Sequence, residues 1–129
     1  MRNLNAPYNI AYVRDGVSGD LHELHYRLPT NAERVSYQAG LWVRKGKQFI
    51  NQALETRLRL GSQLLVGFVK GTIGLDGKPF SSNPTDPDYR EDWRELLLQY
   101  APDVVAVVAL AAFEGTGVAE APAAFPLDE

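Results

Sequence analysis

The feature that most constrains this chain is a run of ten residues, 104–113, that holds only Val, Ala, Leu and Phe. Asp103 and Glu114 flank it. The run is about half the length that a helix needs to cross a bilayer. Val104, Val105, Val107 and Val108 would suit a strand as well as a helix, but the length and the alanines favour a helix. A helix that is apolar all round has no side for water, so its own chain or a second chain must cover it.

The composition can supply such a cover. The chain has 129 residues, 45% of them hydrophobic and 22% charged, which suits one domain with a real core. The N-terminus, starting Met1, Arg2, Asn3, leads into no apolar segment of the kind a signal peptide needs, so a cytoplasmic location is expected. The absence of cysteine excludes disulfides, thiolate zinc sites, iron–sulfur clusters and cysteine nucleophiles. A net charge of -3 and a pI of about 5.4 argue against a generally basic nucleic-acid binder. The charge is uneven, however. Residues 1–70 hold ten Lys/Arg and five Asp/Glu, whereas residues 71–129 hold three and eleven. The two halves can pack on each other within one domain, which is the default, or copies can associate head to tail.

Residues 8–28 alternate with period two, which predicts a β-hairpin, with Asp15 and Gly16 as its turn signal. At Pro29 the pattern changes. Thr30 followed by Glu33 fits a capping box, and Val35, Ala39, Leu41 and Trp42 form one helical face, stopped at Gly46. Ile50, Leu54, Leu58, Leu65 and Phe68 continue in three-to-four-residue steps and predict a long helix over 47–70. Gly61 and Gly67 then mark close helix packing or a bend. Asp76 and Gly77 predict a small hairpin over 72–80, with Pro79 on an edge, and residues 81–89 read as a loop. Acidic residues from Asp88 to Asp92 open a helical region that Pro102 divides into segments 90–100 and 102–114. The expected fold is α+β: a bundle of three to four helices with an N-terminal hairpin and a small second one. Residues 1–115 form the globular domain, and 116–129, rich in Ala, Pro and acid, form a mobile tail. Trp42 and Trp93 are expected to be substantially buried core or interface anchors.

No constellation for chemistry stands out. His22 and His25, the only histidines, fall on opposite faces of a strand, so they share no metal, read as exposed, and support no triad. Gly71 to Lys78 has the wrong spacing for a phosphate loop, and Pro79 stands where a helix would start. Asp86, Asp88, Glu91 and Asp92 lack the glycine and the ligand spacing of a calcium loop and read as helix N-terminal acids. Arg44, Lys45 and Lys47 beside Trp42 and Phe49 form a small basic-aromatic patch, read as a solvated helix terminus. No cofactor, no metal and no enzymatic activity is expected.

Tyr26, Arg27, Leu28, Pro29 and Thr30, then Glu33, Arg34 and Tyr37, then Arg44 through Lys47 resemble the tail assembly chaperones and related small tail-region proteins of long-tailed bacteriophages. Asp92 to Leu97, and Phe113, Glu114 and Gly115, look similar to them too. The resemblance covers about residues 20–115; the N-terminal hairpin and residues 72–80 have no counterpart in it. It implies a non-enzymatic assembly factor that binds the tape-measure protein, and it carries over no catalytic residue. A nucleic-acid-associated regulator using the basic half is the first alternative, and an enzyme with an unrecognised acidic site is the second. Part of 104–113 and the apolar side of the 47–70 helix are expected to meet a helical client or another copy. Trp42, Phe49, Leu65, Phe68, Val104, Val108 and Phe113 are the candidate contacts. Full enclosure of 104–113 within the monomer weighs equally.

Overall fold

The computed structural model describes residues 8–115. The expected segment 116–129 lies outside them. The fold is α+β. Strands β1 (Asn9–Arg14) and β2 (Leu21–Tyr26) pair antiparallel, with Ala11 opposite Leu24 and Val13 opposite His22. These four side chains are buried, while Ile10 and Tyr12 face outward. The turn departs from expectation. Asp15 Oδ1 accepts the amides of Val17 and Ser18, and the positive φ falls on Gly19 rather than Gly16.

Helix α1 (Asn31–Leu41) begins with the capping box read from the sequence. The Glu33 amide donates to Thr30 Oγ1 at 3.1 Å, and the Thr30 amide donates to Glu33 Oε1 at 2.9 Å. The helix stops at Leu41, five residues before Gly46. Strands β3 (Trp42–Lys45) and β4 (Gln48–Asn51) then form a hairpin, with Gly46 at φ +64 in its turn. A last helical turn holding Arg44 and Lys45, and a long helix from Lys47, are therefore both corrected. Gly46 terminates a helix or turns a hairpin equally well, and Val43, Phe49 and Ile50 prefer extended backbone.

Helix α2 (Ala53–Leu64) is half the expected length. At Leu65 the backbone becomes extended, and β5 (Leu65–Phe68) adds to β2, giving the sheet order β1-β2-β5. The expected stripe was not one face. Leu54 and Ile50 are exposed, whereas Leu65 and Phe68 are buried on the sheet. Strands β6 (Gly74–Leu75) and β7 (Lys78–Pro79) make the second small hairpin on Asp76 and Gly77, both at positive φ, as a type I′ turn requires.

Helices α3 (Trp93–Tyr100) and α4 (Pro102–Ala109) break at Ala101 and Pro102 as expected, and a π-helical turn (Leu110–Glu114) follows. Asp86, Asp88, Glu91 and Asp92 precede α3 instead of forming its first turn. Lys70 is bound to Asp86 and Asp88, and Arg90 to Asp92. Among the described residues no single helix is long and apolar enough to cross a membrane, and the chain bends by 102° between α3 and the 102–114 segment.

The core lies where α4 meets the sheet, α2 and α3. Val13, Leu24, Leu65, Phe68, Phe80, Trp93 and Leu97 pack with the valines of α4 in one cluster. Every residue from Val104 to Ala109 is buried. The apolar helix is thus enclosed by its own chain, and this stretch presents no surface to a second one. Gly61 is what lets α2 lie so close. A Cβ there would stand 2.8 Å from the Val105 carbonyl oxygen, well inside contact distance. Phe68 meets Phe80 and Trp93 edge-on at 5.7 and 5.8 Å, and the Arg94 guanidinium covers the Trp93 ring at 4.5 Å.

Candidate functional site

The seven candidate contact residues divide sharply. Leu65, Phe68, Val104 and Val108 belong to the core, each no more than 6% exposed. Phe113 is half-buried and stacks on Tyr37, with ring centroids 4.3 Å apart. Trp42 and Phe49 are 57% and 68% exposed. Burial of Trp42, expected from a helical face, is corrected: the helix ends one residue earlier, and Trp42 starts a strand that, among the described residues, pairs with β4 alone.

The β3–β4 register explains what the hairpin displays. Trp42 stands opposite Asn51 and Arg44 opposite Phe49. Side chains opposite each other share a face, so Trp42, Arg44 and Phe49 lie together on one side. Arg44 Nε donates to the Gly46 carbonyl at 3.0 Å, which fixes the guanidinium beside the turn. Residues 42–52 contain no Asp or Glu. Among the described residues no ion pair reaches Arg44, Lys45 or Lys47. The residues singled out in the sequence thus sit on an arm and not on a helix end, with Lys45 on the face opposite Trp42, Arg44 and Phe49 and Lys47 in the turn.

The arm is held at its root. The Gln52 amide donates to the Leu41 carbonyl at 2.9 Å, and Thr56 Oγ1 donates to the Gly40 carbonyl at 2.6 Å. Gly40 is bare because a Cβ would meet Thr56 Oγ1 at 2.7 Å. One helical turn below, Tyr37 donates its hydroxyl to Glu114 and accepts from Arg57 Nε at 3.1 Å. Burial, then the bond to Glu114, push the Tyr37 hydroxyl above its usual pKa. This cluster, with Tyr37 buried and Arg57 and Glu114 at the surface, ties the end of the π-helical turn to α1 and α2.

A second constellation was not expected. His22 is 3% exposed, not solvated, and both ring nitrogens are engaged. Nδ1 lies 2.8 Å from Thr72 Oγ1 and Nε2 lies 2.8 Å from Asp15 Oδ2. Burial alone would raise the Asp15 pKa. The bonds from His22 and from the Val17 and Ser18 amides outweigh it and hold Asp15 below its ordinary value. Asp15, Ser18, His22 and Thr72 line a solvent-open cleft of about 190 Å³ together with apolar residues such as Leu75, Phe80, Leu97 and Val104. Thr72 is fifty residues from His22, and no spacing rule links them. The sequence signal was the Asp15 turn, seven residues from His22 across the hairpin.

His25 lies on the opposite face of β2 from His22, stacked under Tyr8 at 4.3 Å and bonded to Glu23 at 2.9 Å. Among the described residues no three His, Asp or Glu side chains come together as a metal site. Compared with known protein families, with curated proteins and with solved structures, the chain matches none.

Proposed function

We propose that the protein is an assembly factor of phage or prophage tails that offers its β3–β4 arm to a helical client such as the tape-measure protein. One observation carries this reading: Trp42 and Phe49 stand exposed on one face of the arm, with Arg44 on the same face opposite Phe49. Large aromatics and Arg are the side chains that dominate the energy of protein interfaces, and here they are held out on a two-stranded ribbon with a fixed root. The likeness of residues 20–115 to tail assembly chaperones supplies the class of client.

The test is co-purification of the full chain with the tape-measure-type protein encoded beside it. A complex is expected, and Trp42→Ala with Phe49→Ala should weaken it at least tenfold while the helical circular dichroism is unchanged. A complex indifferent to both substitutions would end the role of the arm. Absence of any complex with folded protein would end the assembly reading.

The basic, acid-free tip also suits the runner-up, a nucleic-acid contact. With three cations, single-strand binding should weaken with salt with a logarithmic slope of roughly -2. A client complex that survives raised salt, without nucleic-acid binding, rejects that alternative.

A further inference from the structure

We propose that Thr72, His22 and Asp15 form a nucleophile–base–carboxylate relay that takes a short acyl group from an ester onto the Thr72 hydroxyl. This activity is separate from client binding, since no residue lining the cleft belongs to the β3–β4 arm.

The protonation pattern follows from the bonds. Asp15 Oδ1 is occupied by the Val17 amide at 2.7 Å and the Ser18 amide at 3.3 Å, which aims Oδ2 at His22. An ionised carboxylate only accepts, so Nε2 carries the hydrogen. In the neutral ring Nδ1 then holds a lone pair, and the hydroxyl 2.8 Å away donates to it. A hydroxyl on a base that a third group orients is the arrangement that activates nucleophiles, recognised by geometry and not by chain order. The local backbone delivers the threonine: Gly71, at φ +129, makes the turn that brings Thr72 to the ring, a conformation that side chains rarely adopt.

The cleft sets the substrate. It brings these polar groups together with aliphatic and aromatic side chains. Its volume of about 190 Å³ accommodates a short acyl chain. In the reaction Thr72 Oγ1 attacks the ester carbonyl carbon, and its proton passes to His22 Nδ1. The tetrahedral intermediate collapses, the bond to the alcohol oxygen breaks, and the alcohol leaves with that proton. Water then attacks the acyl carbon, gives one proton to Nδ1, and releases the acid as Oγ1 is reprotonated.

The probe is p-nitrophenyl butyrate with the full chain, followed by p-nitrophenolate release and by mass spectrometry of the peptide bearing Thr72. A butyryl adduct on Thr72 and release at least tenfold above buffer are expected. Thr72→Ala should abolish both. Thr72→Ser, which keeps the hydroxyl without the crowding methyl, should retain or raise them. His22→Gln should bring release down to near the buffer rate. Thr72 variants leave the Asp15–His22 bond in place, so they keep the test open if His22→Gln does not fold. Release unchanged by Thr72→Ala, or an adduct on another residue only, would overturn the relay. So would no release and no adduct with protein whose circular dichroism is native.

Discussion

The β3–β4 arm and helix α4 are both short and both rich in β-branched or aromatic residues, yet one stands in solvent and the other is sealed. The arm holds Trp42, Val43, Phe49 and Ile50, and among the described residues its main contacts are between its own two strands and with α1. Helix α4 meets α2, α3 and β1 at once. Burial therefore follows the number of elements that converge on a segment, not the hydropathy of the segment alone. Two tryptophans on similar backgrounds fall on opposite sides of that divide: Trp93 is 5% exposed and Trp42 57%.

The sharpest way to break this comparison is to truncate both tryptophans. Trp93→Ala should lower the unfolding free energy by about 3–5 kcal/mol in urea melts, since it empties the space beside Phe68 and uncovers Arg94. Equal losses for Trp93→Ala and Trp42→Ala would erase the distinction. A smaller but more telling effect is expected at Gly61. Alanine is the better helix former by about 1 kcal/mol. Here its methyl would press on the Val105 carbonyl, so Gly61→Ala should instead destabilise by about 1–3 kcal/mol. A stabilised variant would mean that α2 and α4 do not touch at this point.

The third expectation concerns the joint between sheet and helices. Arg27 donates to both Glu33 oxygens at 2.8 Å, and with the Thr30 amide it holds the Glu33 pKa down to about 2. A carboxyl lowered from 4.5 contributes stability above that value and loses it as the pH falls towards about 2. Arg27 is partly exposed, so screening keeps the effect small. Glu33→Gln should cost about 1 kcal/mol at neutral pH, cap included, and the difference should vanish near pH 2. A gap that persists in acid would assign the loss to packing. The smallest effect is expected on the arm, where Trp42→Ala should change stability by less than about 0.5 kcal/mol.

What could be read from the sequence was local. The Thr30–Glu33 box, the Asp76 and Gly77 turn, the break at Pro102 and the burial of Trp93 each follow from residues within one or two turns of one another. The arm was missed because Gly46 between Arg44, Lys45 and Lys47 serves equally as a helix stop, where cations are favoured, and as a hairpin turn. Strand β5 was missed because its partner is some forty residues away, where Leu24 faces Phe68 and His25 faces Gly67. The candidate contacts Leu65 and Phe68 fall in the core with it, and Trp42 and Phe49 are exposed because they lie on a hairpin and not on a helix. His22 looked solvated because nothing in its neighbourhood announces Thr72.

The enclosure of α4 has a consequence for how the chain is made. Val13 and Leu24, both 0% exposed in the finished fold, emerge from the ribosome long before the valines that cover them. The first hairpin can form early, but one long edge of β2 waits for residues 65–68, and its inner face for residues 104–109. Closure of the core thus depends on contacts between the two ends of the chain, which are slow to form because a long loop must close first. Nascent fragments ending before Pro102 carry an uncovered apolar sheet face. Such fragments are the species most exposed to aggregation and proteolysis, and the apolar sheet face is covered only once residues 104–109 have been added.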